Sequence, residues 1–401
     1  MTITALLLVS YRIAHTRNHR PARRTVPREW LWTAAGGNAS NSLCGPDGKL
    51  VGKIDWHKQL GFKMLVTGAV LGAHNQVYVI AGEPDIDFRN CSTLYAFNRK
   101  SGEELWHRGS CGVLTYEYYW NICSDPGGDR LLVQTTGNDL LCLDASTGDL
   151  LWNRQFGNYI NSVPVIGCKG IAYMCIQPNV LCAIDIMQNK LLWQRTLPNS
   201  PVGKFALSTD ESTLFVPADA STLRNVSQDC LLAVNTANGA MLWQHKGAVG
   251  THLVAIGTGA NSMLLNSPQM AQFDAQSGRM LGAVQAAFIP GNNVTMVDNV
   301  GRTYVYQEAT QDIRAFSPVM GQQISVFKIP TGATVTTNMA VTSSGVVYFG
   351  TSSNELWCVD MLNSRKRWAI HLPNTPVTDI SIGPGGEVYV HDSNGIFYKV
   401  T

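Results

Sequence analysis

Charge is scarce in this chain of 401 residues. Asp, Glu, Lys and Arg make up only 14% of it, against roughly 25% in an average soluble protein. Thirty basic and 28 acidic side chains leave a formal net charge of +2, too weak a field to select nucleic acid or anionic lipid as a partner. Long apolar runs are missing as well. The longest near the N-terminus, Ile3 to Val9, is broken by Thr4, far short of the roughly 20 residues of a membrane-spanning helix. The ten cysteines contain no CxxC and no adjacent pair, which excludes a disulfide scaffold and a redox dithiol. None of the nine histidines forms an HExxH or pairs with Cys at zinc spacing, so a zinc centre is not expected.

Acidic residues are absent from the first 28 positions. That stretch holds Arg12, Arg17, Arg20, Arg23, Arg24, Arg28 and two histidines. Taking its +6 from the total of +2 leaves −4 for residues 29–401. A secretory signal places its positive charge before the apolar stretch, and here the order is reversed. Residues 1–28 therefore read as a basic, disordered leader. It is compatible with organelle targeting and equally with a tail of no fixed destination, so the compartment stays open. Only Tyr11 is interleaved with the arginines, too few aromatics for a nucleic-acid arm.

What is present is an apolar fraction of 45%, ordinary for a folded chain, and an internal period. Leu94-Tyr-Ala-Phe-Asn98 is followed by Gly102 and Trp106. The same frame returns as Leu140 to Asp144 with Gly148 and Trp152, as Leu181 to Asp185 with Asn189 and Trp193, and as Leu231 to Asn235 with Gly239 and Trp243. Two weaker copies follow, Met270 to Asp274 with Gly278 and Gly282, then Ile313 to Ser317 with Gly321 and Ser325. A strong copy closes the series, Leu356 to Asp360 with Ser364 and Trp368. In each, the Asx or Ser slot stands four residues before the Gly slot and eight before the Trp slot.

Each position has a physical task. The five-residue run is a short strand. Its terminal Asp or Asn bonds its own backbone two residues on, and Gly supplies the positive φ that turns the chain. Ala96, Cys142, Ala183, Ala233 and Cys358 form a small-residue slot that leaves room for an indole. The tryptophans Trp106, Trp152, Trp193, Trp243 and Trp368 are too large for one hairpin to cover, so neighbouring units must stack. A further apolar run precedes each frame, as in Val77 to Ile80 or Val346 to Phe349. Four short strands per unit, recurring about every 44 residues, are the mark of a β-propeller blade.

Val388 and its neighbours with Ile396 to Val400 begin an eighth unit that lacks its Trp strand. Gly52-Lys-Ile-Asp-Trp56 supplies the missing piece, with Gly four before Trp. The expectation is an all-β fold, a single eight-bladed propeller over 29–401, closed by an N-terminal strand completing the last blade and so hiding its open edge.

The frame resembles the tryptophan-docking repeat of quinoprotein, or pyrroloquinoline-quinone-like (PQQ-like), β-propellers, with Ala-x-Asp-x-x-x-Gly-x-x-x-Trp as kernel. Trp30 to Asn38 is similar to the Trp…Gly-Asn entrance of that superfamily. Gly282 and Ser325 depart from the docking Trp, and Gln272 from the small slot. The resemblance implies two functions. Enzymes of the superfamily hold quinone and calcium on the propeller axis beside adjacent cysteines and a catalytic aspartate. Shorter all-propeller members, such as the lipoprotein BamB, are interaction platforms. No adjacent cysteines exist here, so no catalytic, cofactor or metal residue is carried over. Cys44 has no lipobox before it, so only the platform idea transfers.

Other candidates reduce to structure. Asp85 and Asp87 have calcium-ligand spacing, but a solvated loop explains them. Tyr116, Tyr118, Tyr119 and Trp120 suit a sticky patch or, more simply, an inner strand. His57 and His107 both follow a slot tryptophan, which points to packing. The sequons at Asn38, Asn90, Asn225 and Asn293 are about as many as chance supplies. The functional expectation is a non-catalytic scaffold with a protein partner and no cofactor. Its rivals are a quinone-dependent sugar or alcohol dehydrogenase and a propeller that binds a small ligand.

Overall fold

The short apolar run becomes strand in every copy of the repeat. The computed structural model describes residues 44–401 apart from 61–63, 67, 73, 83–91, 110–121, 136–137, 161, 202–203, 220–229, 247–252, 257–261, 267–270, 284–294 and 319–321. The leader, the Trp30 entrance, the pair Asp85 and Asp87, the aromatic run at 116–120, the four sequons and Gly321 lie outside these residues. No helix occurs among the described residues, and the strands group into eight sheets. Each sheet is built on antiparallel neighbours in chain order, and we number the sheets one to eight by their Trp slot.

Sheet one runs from Met64–Val66 through Gln76–Gly82 and Ser92–Asn98 to Glu104–Arg108. Sheets two, three and four end on Leu150–Gln155, Lys190–Thr196 and Met241–Lys246. Sheets five, six and seven end on Met280–Ala283, Gln323–Lys328 and Arg365–His371. Sheet eight is composite. Its edge strand Ile54–Gln59 pairs antiparallel with Ile396–Val400, from Ile54 opposite Val400 to Gln59 opposite Ile396. Lys53 and Thr401 exchange both backbone bonds beyond that register. At the other edge of the sheets the chain contributes two short parallel strands. Cys44–Gly45 pairs with Ala340–Thr342 of sheet seven, and Thr337–Asn338 with Pro376–Ile382 of sheet eight.

One row of side chains crosses each sheet and explains the small-residue slot. Tyr78, Ala96 and Trp106 face one another on successive strands of sheet one. Because Ala96 is small, the indole crosses it and meets Tyr78, with ring centroids 5.9 Å apart. Tyr173, Ala183 and Trp193 repeat the row at 6.0 Å, Phe215, Ala233 and Trp243 at 5.9 Å, and Tyr348, Cys358 and Trp368 at 5.9 Å. Such tilted contacts add about 0.5–1.5 kcal/mol to the area each pair buries. The edge strand gains one extra residue at the same point in every sheet. The register shifts just after Ala96, Cys142, Ala183, Ala233, Gln272, Ala315 and Cys358, and between Ile54 and Trp56. This β-bulge turns the residue before the Trp slot out of the ladder.

Candidate functional site

The turn at the end of each frame is built by its Asx residue. The carboxylate of Asp144 accepts from the backbone N–H of Ser146 and Thr147, and Asn98 from Lys100 and Ser101. Asp185 and Asp274 do the same for the residues two and three further on. Gly102, Gly148, Gly239 and Gly278 then donate back to the carbonyl of that Asx residue at 2.8–2.9 Å, with φ between 69° and 76°.

The tryptophan of one sheet lies on the turn of the next. Trp106 of sheet one donates its indole N–H to Ala145 O, Trp152 to Ile186 O, Trp193 to Thr236 O and Trp243 to Ala275 O, at 2.8–3.3 Å. Trp56 of sheet eight donates to Arg99 O in sheet one at 3.2 Å, and Trp368 of sheet seven to Leu50 O at 3.2 Å. The ring face rests where a side chain of the receiving glycine would stand. A Cβ built on Gly278 would come within 2.5 Å of Trp243, and one on Gly102 within 2.7 Å of Trp56. Glycine is thus required twice over, for its φ and for the close approach.

The spacing alone does not reveal this hand-over, nor its reinforcement two residues after the tryptophan. Arg108 donates to Gly148 O at 3.1 Å, and Arg154 bonds both Asn189 Oδ1, at 2.9 Å, and Asn189 O. The Arg at Trp plus two in Arg108, Arg154 and Arg195 is the signal that could have shown it. Gly282 and Ser325 bring no indole, and the next junction is made differently. Asp298, almost fully buried, takes Arg302 Nε at 2.5 Å and the Tyr304 hydroxyl at 2.9 Å, while Arg302 reaches Ser343 O of sheet seven at 3.0 Å.

Opposite the tryptophan edge, the structure assembles a polar cluster that sequence reasoning missed. Asp379 sits at a register irregularity in the Pro376–Ile382 strand, is 4% exposed, and accepts from the Asn338 amide. Lys204, in the segment between Ser200–Pro201 and Ala206–Leu207 of sheet four, faces it. Burial raises the Asp379 carboxyl, partly offset by Lys204 and by the Asn338 hydrogen bond. Desolvation pulls the Lys204 ammonium down to about 8, against the attraction of Asp379. Lys204 keeps part of its surface open although protein encloses it densely. No short motif marks these residues, because sheets four and eight bring them together from distant parts of the chain.

The remaining candidates take modest places. His57 and His107 are exposed, each over its cross-strand tyrosine, Tyr398 or Tyr95, at 6.0 Å. Burial pushes the Cys142 thiol up to about 11 and Cys358 to about 12, the state of inert thiols. All eight cysteines among the described residues are free.

Calcium and quinone, which the fold family implies, can be tested against these groups. Among the described residues no three His, Cys, Asp or Glu side chains converge to hold a metal. At the polar cluster a lysine ammonium opposes Asp379, a donor set that repels a divalent cation. The residues of this cluster do not fit a calcium ion.

A family model described as outer membrane protein assembly factor BamB matches residues 90–257 and 169–401, well over half of the chain. The chain belongs to this PQQ-like repeat family. No curated protein matches it in sequence. Among solved structures it is similar to BamB from Moraxella catarrhalis, with a TM-score of 0.60 and 16% identity, covering 87% of this chain and 97% of that one. Quinohemoprotein alcohol dehydrogenase from Comamonas testosteroni gives 0.65 at 13% identity, covering 94% and 81%. The C-terminal WD40 domain of Sif2 gives 0.65 at 9%, covering 88% and 98%. Identities this low carry the fold alone, a β-propeller; the repeat type rests on the family model. No helix among the described residues is long and apolar enough to cross a membrane.

Proposed function

We propose that the chain is a non-catalytic scaffold for a protein partner, its repeats over 29–401 forming one closed ring of eight blades. The match to the family model named for an assembly factor carries the scaffold reading. Three observations support the ring. Eight sheets are present among the described residues. The Ile54–Gln59 strand joins the last sheet, and its Trp56 lies on the turn of the first. Lys204 and Asp379 interact although their sheets stand four repeats apart, which supports an array that curves back on itself.

Capture of a partner by the intact protein, lost on deletion of residues through 58 but kept on deletion through 28, is the expected result. Deletion through 58 removes both an edge strand and a docking tryptophan. Equal folding stability of the two truncations would sink the closed ring.

The dehydrogenase neighbours favour a second reading, a quinone-dependent enzyme or a propeller that binds a small ligand at the Lys204 cluster. Titration with pyrroloquinoline quinone and calcium decides it. Dye reduction with a sugar or alcohol would replace the scaffold reading, whereas no binding and no turnover leave it standing.

A further inference from the structure

The bulge residues form a series of their own. In sheets one to six the residue turned out just before the Trp slot is Leu105, Leu151, Leu192, Leu242, Leu281 and Ile324. Each is exposed, by 42–50%, on an edge strand with no further strand beside it among the described residues. In sheets seven and eight the same position is charged and satisfied within the chain. Arg367 bonds Asp360 at 2.7 Å, and Asp55 bonds Lys399 at 2.7 Å. The apolar character is therefore not imposed by the bulge, because two sheets build the bulge without it.

Charge is distributed with equal bias. The edge strands of sheets two to six read LLWNRQ, KLLWQRT, MLWQHK, MLGA and QISVFK, without one acidic residue. Lys190, Arg195 and Lys246 are exposed beside the leucines of sheets three and four. The band is two residues wide in sheets two to five, where Leu150, Leu191, Met241 and Met280 stand exposed next to Leu151, Leu192, Leu242 and Leu281, and in its two middle sheets these cations flank it.

We propose that this band, centred on Leu191, Leu192, Met241 and Leu242, docks an acidic amphipathic helix of a partner protein. The proposal rests on the scaffold reading and names the surface and the chemistry that reading lacks. Bulged edges resist the addition of another strand, so the partner meets side chains rather than backbone, as a helix face does. Leucine and methionine take its apolar stripe, and the flanking lysines and arginine take its carboxylates. A second copy of the chain is disfavoured, because it would bring one acid-free strand against another. A flat bilayer is disfavoured too, since an edge wall that curves through six sheets presents only a short arc to a plane.

The test uses the full chain and two synthetic 18-residue helical peptides, each with leucine on one face and either glutamate or lysine on the other. The glutamate peptide is expected to bind, to weaken at least tenfold in a Leu192→Asn, Leu242→Asn variant, and to weaken with added salt. The lysine peptide is expected not to bind. An unchanged denaturation midpoint confirms that the variant is folded. Equal binding of both peptides, or of both proteins, overturns the proposal. Binding only to phosphatidylglycerol vesicles, or a dimer seen by sedimentation and abolished in the variant, overturns it in favour of lipid or self-association. A captured partner that binds the variant normally defeats this surface and leaves the scaffold reading intact.

Discussion

Sheets four and six solve one packing problem with opposite chemistry. Sheet four lays Trp243 on the turn of sheet five, an apolar plate fixed by a single N–H bond to Ala275 O. Sheet six has Ser325 in that slot and reaches sheet seven with the guanidinium of Arg302, held by buried Asp298 and Tyr304. The indole gains from the apolar area it removes from water, wherever the receiving turn is flat. The ion pair gains only if every polar group around it is satisfied. The first device therefore tolerates repetition, and six sheets use it; the second has to be assembled group by group.

The largest effects come from removing either device. Trp193→Ala should lower the unfolding free energy by about 3–5 kcal/mol, the cost of truncating a large buried aromatic. Arg302→Ala should cost a similar 3–5 kcal/mol by stranding the Asp298 carboxylate. The devices differ in rescue. Replacing Arg302 and Asp298 together by Met and Leu should recover most of the loss, whereas no apolar partner of Trp193 can do so. Denaturant titration checks both, and a loss below 1 kcal/mol for Trp193→Ala would show that the hand-over carries little stability.

The receiving turn gives the next effect. Gly278→Ala forces a Cβ against Trp243 at a φ of 69°, and about 2–3 kcal/mol should be lost. Gly332→Ala has a φ of 96° but nothing among the described residues within 4 Å of the new Cβ, so strain alone, about 1 kcal/mol, is expected. Equal losses would mean that the indole contact adds nothing at the turn.

Polar groups left without partners extend the comparison. His391 is fully buried, stacked on Phe397 at 4.5 Å, with neither ring nitrogen bonded among the described residues. Burial drops its pKa to about 3. The unfolded imidazole takes up a proton near 6.5, so its contribution is complete above that pH and fades as pH falls towards 3. About 2 kcal/mol should be gone by pH 5. His391→Leu should flatten this part of the pH profile, and an unchanged acid slope would remove His391 as its source. The smallest effect belongs to Ser325, whose buried hydroxyl has no partner among the described residues. Ser325→Ala should raise stability by about 1 kcal/mol, and a loss would reveal a bond that the hydroxyl makes.

Much of the repeat was legible in advance because its parts act locally. Asp144, Gly148 and Trp152 lie within nine residues, and Asx turns, positive φ and alternation are properties of such short stretches. Long-range relations were hidden. Nothing near Trp106 says that it rests on Gly148 of the following sheet rather than on Gly102 of its own. Lys204 and Asp379 belong to segments whose flanking strands are only two to seven residues long, where periodicity has nothing to count. The bulge residues were invisible for another reason. Leu192 and Trp193 are both apolar and adjacent, so hydropathy does not say which of the two faces outward.

The pairing of Ile54–Gln59 with Ile396–Val400 also sets an order in time. Asp55 and Lys399, which bond across it, are 344 residues apart in sequence. On a ribosome moving at about 5–20 residues per second, the early strand waits roughly 20–70 seconds for its mate. Through that interval Trp56 has the turn of sheet one available but not Tyr389 or Phe397 of its own sheet. Whatever shields this strand during synthesis, a chaperone or a temporary contact with sheet one, guards the last joint to be made.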